Sequence, residues 1–144
     1  MKKKYLIITG ANGYLSQYFS KQLCENYNLI LWDIKFDKKF SAEIKKLSEK
    51  YMTKINLIKI DITKQDKIIR NIKMLKSKKI KIYGLINCAG INPQANARNP
   101  DYFKKSSAFI KMWQNEIDIS LKGYMFTIYE VSKIMEKSKN SVII

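Results

Sequence analysis

The sequence predicts an α/β fold, a doubly wound parallel sheet covered by helices on both faces. Short apolar runs typical of buried strands alternate along the chain with apolar residues at helical spacing. A turn with two glycines follows the first apolar run and leads into the first helical pattern. Because neighbouring parallel strands need a crossover between them, usually a helix, this alternation favours a parallel sheet.

Strands and helices are predicted in strict alternation up to residue 86. A buried strand is a continuous apolar run, whereas an amphipathic helix shows an apolar residue at every third or fourth position. The predicted strands are Tyr5 to Thr9, Asn28 to Trp32, Ile55 to Ile60 and Tyr83 to Ile86. The helices between them are marked by Leu15, Tyr18, Phe19 and Leu23, by Phe40, Ile44, Leu47 and Tyr51, and by Ile68, Ile69, Ile72 and Leu75.

The last third of the chain predicts a loop, a long helix and a final strand. Turn-forming residues accumulate between Asn92 and Pro100, which predicts a loop after Gly90. Apolar residues then recur at helical spacing over about 107–136. A short apolar run at 141–144 is typical of the start of a strand.

Length and composition predict one globular domain over residues 1–144. With 46% hydrophobic residues, the chain can bury one core and is too short for two. It has no His, and Cys24 and Cys88 form no C-x-x-C pair, so we expect no metal site and no disulfide. We find neither a signal peptide nor a membrane span, which predicts a cytoplasmic protein with no membrane partner.

The formal net charge of +16 raises the question of nucleic-acid binding. The lysines are spread from Lys2 to Lys139, and the densest group, over 73–81, surrounds a predicted helix end where cations are favourable. A solvated surface explains this distribution, so no nucleic-acid partner is predicted. Nucleic-acid binding stays as an alternative that would show a steep loss of affinity with salt.

Two features after the first two strands point to a dinucleotide. Gly10 and Gly13 stand in the first turn, where glycine lets a pyrophosphate approach the backbone and the helix start offers unpaired N–H groups. Asp33 ends the second strand 23 residues after Gly10, near the ~20 residues expected for a ribose-binding carboxylate. The structural alternatives are an ordinary turn with positive φ and an Asp that caps the next loop.

Further motifs resemble the short-chain dehydrogenase/reductase family over essentially the whole chain. The segment Asn87-Cys88-Ala89-Gly90 is similar to the family's N-N-A-G signature, with Cys in place of the second Asn. Asp61-Ile62 follows the third strand, where the family has an Asp that contacts adenine. The run from Asp118 to Gly123 resembles the family's long interface helix. The resemblance implies a Rossmann-like, three-layer α/β/α fold with strand order 3-2-1-4-5.

The resemblance also implies roles for individual residues. Thr9 would bond to the loop at Asn87 and tie the first strand to the fourth. The backbone N–H groups of Tyr14 and Leu15 would face the pyrophosphate, while Asp61 would accept a hydrogen bond from the adenine amino group. The implied cofactor-binding set is Thr9, Gly10, Asn12, Gly13, Tyr14, Leu15, Asp33, Asp61, Ile62, Asn87, Ala89 and Gly90.

Two positions depart from the family pattern. Ser16 stands where the third glycine of the turn is expected, which implies a small helix displacement or a local hydroxyl bond. Ser120 stands at the position of the family's catalytic Asn and is the catalytic candidate within this chain. Some relatives linked to surface or flagellin sugars also lack that Asn and carry a sequence like Ile91-Asn92-Pro93, which points to a sugar-related substrate.

The family's catalytic Ser and Tyr-x-x-x-Lys would follow Ile144. We therefore expect a truncated, cofactor-binding part of an enzyme that is inactive alone. Tyr129 and Lys133 have the Tyr-x-x-x-Lys spacing, but they precede the fifth strand, and the spacing alone only places them on one helical face.

The leading hypothesis is an NAD(P)-dependent oxidoreductase of the short-chain type that transfers a hydride between nicotinamide and an alcohol or carbonyl substrate. Asp33 followed by Ile34, with no Arg to neutralise a 2′-phosphate, predicts preference for NAD over NADP. The expected partners are a small-molecule substrate and a second copy of the chain, through helix 107–136. The alternative is a non-catalytic dinucleotide-binding or scaffold protein left by natural truncation.

Overall fold

The computed structural model describes residues 3–91, 106–135 and 140–144. Within these ranges five parallel strands form one sheet between helices. The strands are β1 (Tyr5–Thr9), β2 (Asn28–Asp33), β3 (Ile55–Lys59), β4 (Ile82–Asn87) and β5 (Val142–Ile143). The helices are α1 (Tyr14–Leu23), α2 (Lys38–Tyr51), α3 (Gln65–Ser77), α4 (Ser106–Glu116) and α5 (Tyr124–Ser132), and a π-helical segment (Ile117–Gly123) joins the last two.

The strand order is β3-β2-β1-β4-β5, which confirms the predicted doubly wound sheet. Thr9 of β1 is paired with Trp32 of β2 on one side and with Asn87 of β4 on the other. The chain thus proceeds from β1 toward β3 in one direction and then returns to extend the sheet through β4. Such a reversal leaves a crevice outside the carboxyl ends of the central strands, where α/β sheets bind ligands.

The core has two layers, one on each face of the sheet, because side chains alternate along a strand. Ile7 packs into the layer formed with α3 and α5, whereas Leu6 and Ile8 pack into the layer formed with α1 and α2. Ile7 and Ile8 are both fully buried. Burial on both faces explains why the central strands β1 and β2 are continuous apolar runs in the sequence.

The long helix predicted over about 107–136 is not regular. Its middle, Ile117–Gly123, is π-helical, and α5 ends at Ser132, before the predicted end. A π-helical insertion shifts the apolar stripe by one position, which a 3.6-residue pattern cannot locate. The predicted loop from Asn92 to Pro100 lies outside the described residues.

Neither a membrane-spanning helix nor a metal-binding cluster lies in the described ranges. None of the helices in the described ranges is both long and apolar enough to span a membrane. The same residues contain no group of three or more His, Cys, Asp or Glu side chains that could hold a metal ion.

Candidate functional site

A cavity of about 130 Å³ lies at the carboxyl ends of β1, β2 and β4. Each strand brings at least one predicted residue to it, namely Gly10 after β1, Asp33 at the end of β2, and Ala89 and Gly90 after β4. The predicted residues therefore converge where the strand order of the sheet reverses. The complete lining is Gly10, Trp32, Asp33, Ile34, Ile60, Asp61, Ile62, Ala89, Gly90, Ile91 and Ile119.

Gly10 makes the tightest backbone approach in the site. Its φ of +61° is the left-handed conformation that the structural alternative of a simple turn requires. A Cβ at this position would also lie 2.5 Å from Ala89 Cα and 2.8 Å from the Cys88 carbonyl oxygen. The first turn and the loop after β4 therefore touch through backbone atoms alone, and only glycine permits this.

The start of α1 carries no side-chain cap. Its N-cap is Gly13, whose carbonyl accepts the N–H of Gln17 at 2.9 Å. Tyr14 and Leu15 occupy the first helical positions, and their side chains are 95% and 55% exposed. Because the first N–H groups of a helix have no partner within it, this turn presents backbone donors and positive partial charge.

Two backbone N–H groups hold the carboxylate of Asp33. The N–H of Asn12 donates to Oδ2 at 2.9 Å, and that of Lys35 donates to Oδ1 at 3.2 Å. In return, Oδ1 of Asn12 accepts the N–H of Asp37 at 2.9 Å. Asp33 therefore also acts as the loop cap of the structural alternative, but a carboxylate has about four acceptor positions, and capacity remains for a ligand.

Thr9 ties β1 to the residues after β4. Its hydroxyl donates to Asn87 Oδ1 at 3.5 Å and accepts the N–H groups of Cys88 and Ala89, each at 3.2 Å. This uses the hydroxyl's one donor and both of its acceptor positions. Because Thr9 is fully buried, the peptide at 88–89 is held in a defined place beside Gly10.

Asp61 and Ile62 form another wall of the cavity. Oδ1 of Asp61 accepts both the N–H and the hydroxyl of Thr63, at 3.0 and 2.7 Å, which leaves its other oxygen for a ligand. Ile62 is only 6% exposed and lies under Gly123, where a Cβ would come within 2.8 Å of Ile62 Cδ1. Most of Ile62 therefore belongs to the core, and only part of it reaches the cavity.

The two serines that depart from the family pattern have different surroundings. Ser16 is buried, and its hydroxyl donates to the carbonyl of Thr9 at 3.5 Å, so the local hydroxyl bond is the outcome observed. Ser120 is half-buried in the π-helical segment and does not line the cavity, although its neighbour Ile119 does. The structure does not bring Ser120 together with the other predicted residues.

Lys133 lies at the opposite end of the sheet from the cavity. It shares a hollow with Lys81, directly before β4, at the amino end of that strand. Its ammonium pairs with buried Glu130 at 2.7 Å, which raises the pKa of Lys133, and lies 3.9 Å from the ring centroid of Tyr129. The Tyr-x-x-x-Lys spacing is therefore explained by an ion pair and a ring contact.

Apart from Ile62 and Ala89, the sequence motifs do not single out the apolar residues of the cavity. These residues stand at strand ends and in the long helix, where nothing distinguishes them from core, and their only signal is proximity to a motif. Trp32 is fully buried, and its indole N–H has no hydrogen-bond partner among the described residues. The residues missed are Trp32, Ile34, Ile60, Ile91 and Ile119.

A larger hollow of about 740 Å³ lies between α2 and α3 along β3. No predicted site residue lines it. Within the described part of the chain β3 pairs with β2 only, so a hollow is expected beside its free edge. We place the candidate site at the smaller cavity, where the polar groups converge.

The two cysteines give a direct test of how accessible the site is. Cys24 is buried, which raises the pKa of its thiol, whereas Cys88 is half-buried beside Gly10. We expect a thiol reagent to modify about one equivalent per native chain, at Cys88, and two in denaturing urea, because buried protonated thiols react slowly. Peptide mass spectrometry identifies the site. Fast native labelling of Cys24, or a stoichiometric disulfide, would contradict this assignment.

Nearly the whole chain matches a known protein family. The profile of the short chain dehydrogenase family matches residues 4–144. The chain belongs to the short-chain dehydrogenase family. The resemblance inferred from the sequence motifs is thereby confirmed, and with it the Rossmann-like fold and membership of an oxidoreductase family.

Known short-chain dehydrogenases and related oxidoreductases match this chain over about half of their own length. An uncharacterized oxidoreductase of Staphylococcus saprophyticus is 28% identical over 146 residues, covering 100% of this chain and 54% of that protein. An NAD-bound structure from Haemophilus influenzae, provisionally assigned as a D-mannonate oxidoreductase, has a TM-score of 0.77 at 22% identity, covering 99% and 54%. Ligand-free aldohexose dehydrogenase of Thermoplasma acidophilum has a TM-score of 0.70 at 20% identity, covering 99% and 48%.

Proposed function

We propose that this short-chain dehydrogenase binds NAD at the carboxyl ends of β1, β2 and β4 and serves hydride transfer to or from an alcohol or carbonyl substrate. The observation that carries the proposal is the carboxylate of Asp33, which lines the cavity while two backbone N–H groups hold it. A fixed acceptor at the end of β2, beside a glycine turn, suits the paired hydroxyls of a ribose.

The chemistry of the cavity fits the adenosine end of a dinucleotide. A volume of about 130 Å³ lies below the ~300 Å³ of a pocket that encloses a whole drug-sized ligand, so only one end would enter. Ile60 and Ile119 offer apolar walls, and Asp33 and Asp61 offer acceptors. An adenine ring with its amino group and a ribose with two hydroxyls supply the complementary surface and donors.

The pyrophosphate would lie over the start of α1. Gly13 has no side chain to cover this turn, and the exposed side chains of Tyr14 and Leu15 leave the backbone N–H groups open. Unpaired N–H groups and the positive end of a helix dipole favour a bound phosphate. Ser16 is turned inward to the carbonyl of Thr9 and does not compete for these donors.

Bound NAD would supply the hydride chemistry, and the loop after β4 would position its nicotinamide half. Ala89 and Gly90 put no bulky side chain there, and Thr9 holds the backbone. Ser120, half-buried beside Ile119, stands at the position of the family's catalytic Asn and is the proposed catalytic candidate within this chain. A sugar-related substrate is proposed from the segment at 91–93 and agrees with two structural relatives described as acting on D-mannonate and aldohexose.

The long helix is the proposed site of homo-oligomer formation. Ile110, Trp113 and Leu121 are 64%, 50% and 57% exposed along α4 and the π-helical segment. An apolar surface of this kind is typical of a protein–protein contact. The proposed partner is a second copy of the same chain.

An aspartate at position 13 tests the proposed phosphate site at the start of α1. Gly13→Asp places a good N-cap residue at the start of α1, but its Cβ would lie 3.1 Å from the backbone carbonyl oxygen of Gly10, so we expect the two effects to offset and the Tm to stay close to that of the wild type. Its carboxylate would occupy the N–H groups and repel the pyrophosphate, so we expect the Kd for NAD to rise about tenfold or more. Isothermal titration calorimetry and thermal unfolding measure the two effects.

Asn56→Asp is the matched control, because it adds the same charge on exposed β3. It should leave the Kd for NAD within about twofold. NAD binding that is unchanged in Gly13→Asp, or weakened equally in both variants, would reject the placement of the pyrophosphate. No NAD binding by the wild-type chain would reject the proposed function itself.

A second candidate function is dinucleotide binding without turnover. It is favoured by the location of Lys133 at the amino end of β4 and by Ser120 lying outside the cavity. Because the chain alone is expected to be inactive under either candidate, the reading frame beyond the Ile144 codon separates them: a downstream Ser and Tyr-x-x-x-Lys would support the first, and a stop codon would support this one.

A further inference from the structure

Asn87 is the junction at which three elements meet beside the candidate site. Its side-chain Oδ1 accepts the hydroxyl of Thr9 in β1, and its backbone N–H donates to the carbonyl of Ile144 at 2.7 Å, at the end of β5. Its backbone carbonyl accepts the hydroxyl of Tyr124 at 3.1 Å. Tyr124 is the first residue of α5, so this last bond joins the helix directly to the strand end.

The position of Tyr124 follows from the residue before it. Gly123 lies so close to Ile62 that α5 begins directly against the carboxyl edge of the sheet. The Tyr124 side chain then packs beside the core layer on that face, and burial, with the nearby Cys88 thiol as the second cause, raises the pKa of its hydroxyl. The hydroxyl stays protonated at neutral pH and can donate to Asn87.

We infer that Tyr124 is a positioning residue for the nicotinamide half of the cofactor. Its hydroxyl fixes the Asn87 carbonyl, and with Thr9 it sets the loop at 88–90 on which that half would rest. Ala89 and Gly90 also line the cavity proposed for the adenosine half, but the polar anchors of that half are Asp33 and Asp61, so it would lose less affinity than the nicotinamide half when this bond is removed. This inference rests on the proposed function, because it assumes that NAD binds in the stated orientation.

A second tyrosine on the same helix, Tyr129, serves as a control. Tyr129 follows Tyr124 by five residues, is 61% exposed, and does not line the cavity. Tyr124→Phe and Tyr129→Phe each remove one hydroxyl and keep the ring. The Tyr129 side chain lies beside Lys133, so of the two variants only Tyr124→Phe removes a bond to the strand end.

The test measures the Kd of NAD and of AMP by calorimetry, and amide exchange of Cys88 and Ala89 by NMR without ligand. For Tyr124→Phe we expect the Kd of NAD to rise about three- to tenfold, the effect of one neutral hydrogen bond. The Kd of AMP should stay within about twofold, and the two amides should exchange faster. Tyr129→Phe should match the wild type in all three measurements.

Each other outcome counts against the inference or separates it from the proposed function. Equal weakening of NAD and AMP with a lower Tm would show a purely structural residue and overturn it, as would unchanged NAD binding. If the wild type binds neither ligand, the proposed function fails, and exchange alone then decides whether Tyr124 positions the loop. Unchanged amide exchange of Cys88 and Ala89 in Tyr124→Phe would overturn the inference that Tyr124 positions the loop.

Discussion

Replacing Gly10 with alanine is expected to lower the free energy of unfolding by about 3 kcal/mol and Tm by roughly 10 °C. Two costs add at this position. A left-handed φ of +61° is unfavourable for any residue with a Cβ, and this Cβ would meet Ala89 Cα at 2.5 Å. Both contacting groups are backbone, so the loop after β4 itself must move. Urea unfolding followed by circular dichroism measures the change.

Gly90→Ala is the matched control, three residues after the end of β4. A Cβ there meets nothing within 4 Å, and φ is not positive. We expect its free energy of unfolding to stay unchanged or to rise by at most about 1 kcal/mol. If Gly10→Ala also fell within that limit, the close approach of the two loops would be wrong.

The wild-type chain is expected to bind NAD at least tenfold more tightly than NADP, and Asp33→Asn should change that ratio by on the order of 100-fold. The carboxylate lines the cavity where a 2′-phosphate would lie, and two negative charges ~5 Å apart repel by about 3 kcal/mol near a protein surface. Asparagine removes this repulsion and weakens the bonds to the ribose hydroxyls. Calorimetric titration with both cofactors gives the ratio.

Two controls make the Asp33 experiment specific. Glu43→Gln removes one negative charge on α2, where Glu43 pairs with Lys21 at 2.9 Å, and should leave the ratio unchanged. Because Asp33 also accepts the N–H of Asn12, thermal unfolding must show that Asp33→Asn remains folded. Equal or tighter binding of NADP by the wild type would refute the predicted preference.

The sheet could be predicted from the sequence because its central strands β1 and β2 are buried on both faces. Runs such as Tyr5 to Thr9 are continuously apolar and, at 5 residues, too short for a typical helix, and helical stripes separate them. Strand ends moved by only a residue or two, as in β4 (Ile82–Asn87), since pairing and not composition sets them. The π-helical segment left no mark, because a one-residue shift in an apolar stripe looks like ordinary variation.

The candidate site was predictable only where function demands an unusual residue. Gly10 and Asp33 stand out, because a left-handed turn needs glycine and a charge at a strand end needs a reason. Ile119 and Trp32 do not stand out, since an apolar residue on the cavity wall looks like any core residue. The bond from Tyr124 to Asn87 joins positions 37 residues apart, and no local pattern encodes it.

The seam between β1 and β4 has a consequence for the order of folding. Tyr5 pairs with Asn28 on one side, 23 residues away, and with Ile82 on the other, 77 residues away. Closing the longer loop costs more chain entropy, so the pairing of β1 with β4 should follow that of β1 with β2. The candidate site lies across this late-forming pair of strands, β1 and β4. A ligand bound there would act on the last closure of the chain and slow unfolding more than it speeds folding.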